Sequence, residues 1–202
     1  MKQLYCTLAL CLCITIAGAQ NVKRISYTQE ENLGLRNLMD LIDVTNLNLK
    51  ITGEFANKKL QLIEHTVIDG KETVRSIPFP SPKDSILYIS VLSRLLPENK
   101  IQLQIFIEAT PGNRISSTKR GISMEKNCAN YLLIETYPTE AYAQNDVPLF
   151  AFTAGLEKKI EFNGQFASYL DYCGLRDAHV APNLWVEQFG LLYFVYYSLR
   201  FD

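Results

Sequence analysis

The chain is predicted to be mainly β, sandwich-like or α+β, with one or two short helices. Three observations carry that prediction. Apolar and polar residues alternate with period two along several stretches. Two such stretches are joined by Asp69-Gly70, a pair suited to a tight primed turn. The last dozen residues form an apolar run that favours a buried strand.

In chain order, the first segment is read as a leader rather than as structure. Lys2 precedes an uncharged, mostly apolar stretch from Leu4 to Ile16, followed by Ala17-Gly18-Ala19. A charged start, a short apolar core and a small-residue cleavage site describe a secretory signal over residues 1–19. The apolar stretch of about 13 residues falls short of the roughly 20 a membrane span needs, so stable membrane insertion is not expected. A lipid anchor is not expected either, because Cys11 and Cys13 each follow a leucine where a lipoprotein signal carries a small residue. Cleavage near Ala19 predicts a soluble protein, periplasmic or extracellular, folding as a single β-rich domain over 20–202.

Residues 20–32 are polar and read as a lead-in. Leu35, Leu38, Met39 and Ile42 recur at helical spacing, which predicts a short helix over about 33–43. Leu47, Leu49 and Ile51 then alternate with polar residues as a half-buried strand. Residues 60–68 and 71–77 form the hairpin around Asp69-Gly70. Its first arm has mixed phase, which implies a bulge near 61–64 or burial on both faces.

Residues 82–96 admit two readings. Ser81-Pro82 with Leu87, Val91 and Leu95 fits a helix, whereas Ile86, Tyr88, Ile89 and Val91 favour a strand. The helix is the preferred expectation. Ile101, Leu103, Ile105 and Ile107 then mark the clearest strand. Residues 112–130 read as a polar loop or weak hairpin, and strands are expected at 131–137, 148–153 and 159–162. In the final strand Leu191, Tyr193, Val195, Tyr197, Leu199 and Phe201 share one face, while Leu192, Phe194 and Tyr196 make the start of the other face apolar too. A central strand covered by a further layer satisfies that pattern.

The first 20 residues also carry a resemblance. A short leader ending Ala17-Gly18-Ala19 with Gln20 next resembles the exported proteins of Bacteroidetes-type bacteria. The remainder is similar in length and style to uncharacterised secreted proteins of such organisms. The resemblance implies export and transfers no catalytic residue.

Composition limits the function classes. The chain has 20 basic and 21 acidic residues, and losing Lys2 with the leader leaves a net charge of about −2. Such a chain has no global field for nucleic acid, and nucleic-acid binding is not expected. Export leaves Cys128 and Cys173 as the remaining cysteines, and an oxidising compartment predicts a disulfide between them. That bond would close a loop of about 45 residues and contribute roughly 4 kcal/mol.

No motif names a reaction. The two histidines, His65 and His179, fall short of a catalytic zinc set, so neither a metal nor a cofactor is expected. The segment holding Asp171, Cys173, Arg176, Asp177 and His179 has the parts of a thiol nucleophile, but proximity along a chain is weak support. Glu135, Glu140, Asp146, Glu157 and Glu161 supply carboxylates for glycoside hydrolysis, whose mechanism depends on spacing in space. The basic residues from Arg114 to Lys126 form a candidate grip for an anionic glycan.

Aromatics are the enriched resource, with 11 Tyr, 10 Phe and one Trp. Flat rings with polar edges suit sugar stacking or protein anchoring, and Trp185 with Tyr169 and Tyr172 is the candidate ligand platform. The expectation is therefore an exported, non-enzymatic protein that binds a glycan or an envelope protein. The alternatives are a hydrolase of cell-surface polymers using carboxylates, and a structural or assembly component of the envelope.

Overall fold

The computed structural model describes residues 23–26, 39, 41–55, 58–98, 100–124, 131–136, 146–177 and 180–201. The expected signal at 1–19 lies outside them. Of the helix expected over 33–43, residues 39 and 41 are helical and 42–43 turn; the remainder lies outside the described residues.

The first five-stranded sheet contains β1 (Lys23–Ser26), β2 (Val44–Thr52), β5 (Ile86–Leu96), β6 (Lys100–Thr110) and β7 (Asn113–Ser123), in that spatial order. The second contains β3 (Leu60–Ile68), β4 (Lys71–Phe79), β8 (Leu132–Glu135), β9 (Asp146–Thr153) and β12 (Phe194–Phe201), in the order β4-β3-β12-β9-β8. Every pairing is antiparallel. Leu49, Ile51, Ile89, Val91 and Ile101 to Ile107 on alternate positions of the first sheet meet Leu60, Leu62, Val195, Tyr197, Leu199 and Phe201 of the second. The protein is thus mainly β, and the shared core makes the two sheets a sandwich.

A third layer covers the outer face of the second sheet. It consists of α1 (Tyr172–Asp177), a 3-10 turn at Pro182–Leu184 and α2 (Trp185–Phe189), which follow a separate, largely exposed hairpin of β10 (Leu156–Phe162) and β11 (Gln165–Asp171). Trp185, Leu175, Phe194, Tyr196, Val67 and Ala151 make its small core. Gly190 ends α2 in the left-handed region at φ 63°, and its N–H returns to the Val186 carbonyl at 3.0 Å. This layer explains the two-faced apolar pattern of β12: Val195, Tyr197, Leu199 and Phe201 point between the sheets, and Phe194 and Tyr196 point under the helices.

The same double burial settles the phase of β3. Its register runs unbroken from Leu60 to Ile68 with β4 and from Leu60 to Val67 with β12, so burial on both faces, and no bulge, accounts for Leu60 and Leu62 against Ile63 and Val67. Asp69 and Gly70 take φ of 51° and 71°, as the primed turn requires.

Three expectations are corrected. Residues 86–96 are a strand, with Leu87, Ile89, Val91 and Ser93 inward. Helical spacing misled because Leu87, Val91 and Leu95 are four apart, and four is also a multiple of the strand period; the β-branched residues carried the better signal. Residues 113–123 form β7, a largely polar edge strand paired with β6, where a loop or weak hairpin was expected. Residues 23–26, read as part of a lead-in, pair with β2 from Lys23↔Thr52 to Ser26↔Leu49.

Candidate functional site

At the end where β2 begins and β5 ends, the two sheets part around a cleft of about 500 Å³. The register places Thr45 opposite Ser93, both on the parity that points between the sheets. Further along each strand that parity is filled by Leu49, Ile51, Ile89 and Val91. Two hydroxyls interrupting an apolar row therefore mark where the core opens. Across the gap stand Tyr131 and Phe152, with ring centroids 6.1 Å apart and planes 22° apart. The Tyr131 hydroxyl donates to the Tyr193 carbonyl at 3.1 Å, which fixes its ring as a wall. Asp43, held at φ 51°, and Arg94 supply opposite charges on the lining.

A second cleft of about 360 Å³ uses the same Tyr131 and is bounded by Leu156, Glu157, Leu170, Phe189 and Tyr193. Both clefts thus meet at one end of the sandwich, where the second reaches the base of the β10–β11 hairpin. Tyr131, Phe152 and Ser93 are buried and form the floor of the cleft, while Asp43, Thr45 and Arg94 are exposed at its rim. A polar rim with one charge of each sign suits a polar ligand better than an apolar one. Among the described residues each cleft is lined by a single carboxylate, Asp43 in one and Glu157 in the other. The paired acids needed for glycoside hydrolysis are not brought together in either cleft among the described residues.

The outer face of the second sheet holds a polar relay. His65 Nδ1 lies 2.9 Å from Glu72 Oε1, and Nε2 lies 3.0 Å from Ser198 Oγ. Tyr196 stacks on the imidazole at 4.1 Å and donates its hydroxyl to the same Glu72 oxygen at 2.8 Å. The atom order matches a hydrolase relay, but Ser198 is 1% exposed in mid-strand. A substrate has no approach to that oxygen, so the relay satisfies buried polar groups on a doubly covered sheet. Burial, the hydrogen bond to Glu72 and its charge raise the Tyr196 hydroxyl well above the ordinary tyrosine value.

The residues singled out from sequence are not assembled as a platform. Trp185 is 0% exposed, and its indole N–H donates to the Val180 carbonyl at 3.0 Å. Its ring is therefore a core element, and no face is open for stacking, which corrects its assignment as a ligand contact. Tyr169 is exposed on the hairpin, and the Tyr172 side chain lies outside the described residues.

Cys173 carries a free, exposed thiol; Cys128, its expected disulfide partner, and His179 lie outside the described residues. Asp171 pairs with Lys158 and accepts the Gly174 N–H at 2.7 Å, and these two bonds hold its carboxyl below the usual carboxylate range. Its contacts pin the base of the hairpin rather than activate a thiol. Among the basic residues of 114–126, Arg114 stacks over Phe106 at 4.1 Å, and Arg120 is bound to Glu64 through two nitrogens and so is taken up within the protein.

Among the described residues, no three His, Cys, Asp or Glu side chains gather to hold a metal ion, and no helix is long and apolar enough to cross a membrane. No protein-family model, curated protein or solved structure matches the chain.

Proposed function

We propose that this is an exported binding protein that takes a saccharide in the cleft between β2, β5 and the Tyr131–Phe152 wall. The observation that carries the reading is the exposed polar rim of Asp43, Thr45 and Arg94 around a cleft floored by Ser93 and two packed aromatic rings. Export is supported by the signal-like leader and its likeness to exported proteins of Bacteroidetes-type bacteria. A periplasmic or extracellular setting supplies glycans and envelope polymers as ligands. The same compartment makes a Cys128–Cys173 disulfide part of the proposal.

The test is a glycan-array screen of the protein, followed by calorimetry on any hit. Arg94→Ala and Thr45→Val are expected to weaken binding about tenfold each, the value of one lost hydrogen bond to a polar ligand. Both sit at the mouth rather than in the core, so folding is expected to survive and is checked by the thermal midpoint. Unchanged affinity in both variants would sink the cleft as the binding site. Absence of any glycan hit would remove the saccharide reading and leave an envelope-protein ligand to be sought.

A further inference from the structure

Beyond ligand binding, the β10–β11 hairpin calls for a partner. It pairs with neither sheet, and residues 157–169 are exposed along its whole length. Ile160, Phe162 and Phe166 are 52%, 72% and 75% exposed, an apolar load that a lone two-stranded ribbon cannot bury by itself. Asn163 and Gly164, at φ 51° and 75°, close it in a two-residue primed turn.

That turn fixes which backbone groups face outward. Phe162 and Gln165 form the closing hydrogen-bonded pair, and hydrogen-bonded pairs alternate from there. Phe162, Ile160 and Lys158 therefore turn their N–H and C=O groups toward β11. Glu161, Lys159 and Glu157 present theirs to the open edge.

We propose that this open edge pairs with the same edge of a second copy of the chain, antiparallel and two-fold about Ile160. A two-fold antiparallel ladder must centre on a single residue, and the sequence discriminates among the choices. Centring on Lys158 or on Lys159 sets lysine against lysine, and the second also sets Glu157 against Glu161. Centring on Glu161 sets glutamate against glutamate. Centring on Ile160 sets Lys159 against Glu161 of the other copy twice, in the hydrogen-bonded positions, with Ile160 against Ile160 between them. Charge complementarity and the outward-facing backbone thus select one register, and the interface is isologous. This proposal is independent of the saccharide reading.

Sedimentation velocity on the protein purified from cells expressing the full sequence tests it, under reductant so that Cys173 cannot crosslink copies. The wild type is expected to shift from monomer to dimer with concentration. Lys159→Glu and Glu161→Lys are each expected to weaken association about tenfold by setting like charges opposite, and the double reversal is expected to restore it. All three variants lie on an exposed ribbon, and circular dichroism checks their fold. A wild type that stays monomeric at all concentrations overturns the proposal. So does a dimer indifferent to both single reversals, which would place the contact on β11 or elsewhere.

Discussion

Trp185→Ala is expected to cost about 4 kcal/mol and to lower the thermal midpoint by roughly 8–16 °C. The indole is the largest fully buried side chain of the protein, and it joins α2 to the sheet through Phe194, 5.3 Å between ring centroids. Removing it opens a cavity beneath a layer whose core is small and separate from the one between the sheets. A small cluster has few side chains with which to close over the hole, so little of the loss is recovered. It also leaves the Val180 carbonyl without its 3.0 Å donor. Trp185→Phe keeps most of the packing and loses the N–H, for an expected cost of about 1–2 kcal/mol. Because Trp185 is the single tryptophan, wild-type fluorescence reports this layer alone. Amide exchange in Trp185→Ala is expected to rise across 172–191 and to change little in β5 and β6. A loss below about 1 kcal/mol, or exchange raised equally in both sheets, would show that the layer is not held by this ring.

The misplacement of Trp185 illustrates what the sequence could and could not show. A tryptophan between Leu184 and Val186 carries no periodic signature, so its residue type alone suggested a ligand platform. Burial is decided instead by β12, which begins five residues beyond the end of α2. There the pattern was legible: apolar residues on both parities required a layer on each side, and the second sheet has both. The hairpin at Asp69-Gly70 and the strand from Ile101 were legible for local reasons, turn chemistry and strict alternation. β7 and β11 were not anticipated, because largely exposed strands lack an apolar row to announce them. For β11 one signal was available in Asn163-Gly164, another pair suited to a primed turn.

The candidate cleft was not legible, since it joins segments near residues 45, 94, 131 and 152 that meet only when the sheets pack. What the sequence did hold was a set of interruptions. Thr45 and Ser93 break inward apolar rows where the core opens, and Glu64 breaks the row of Leu60 and Leu62. Polar residues at inward parity thus marked each place where this sandwich does something other than bury hydrocarbon.

Glu64 is the clearest of these, and the second large effect is expected there. It sits between the sheets with its side chain 5% exposed, receiving Arg120 of β7 through Nε at 2.9 Å and a terminal guanidinium nitrogen at 2.7 Å. Tyr197 donates its hydroxyl to the same carboxylate at 2.7 Å. Burial by itself would raise the carboxyl, but the bonds from Arg120 and Tyr197, with the charges of Arg120 and Arg75, bring it below its ordinary value. The Tyr197 hydroxyl moves the opposite way, raised by burial and by the Glu64 charge.

Arg120→Ala strands a buried carboxylate, for which losses of about 3–5 kcal/mol are typical; with 27% of the Arg120 side chain exposed, about 3 kcal/mol is expected. Arg120→Lys keeps the charge and loses the two-pronged geometry, so an intermediate loss is expected. The pH dependence follows from the depressed carboxyl. The stability that Glu64 contributes is fully present above the unfolded carboxylate range and is lost as pH falls through the folded value. Chemical denaturation of wild type and Arg120→Ala is therefore expected to show a gap that is constant near neutrality and narrows below about pH 5, as a protonated Glu64 ceases to need the guanidinium. A gap under about 1 kcal/mol at neutral pH, or one that does not narrow in acid, would mean that the two sheets are not tied through this pair.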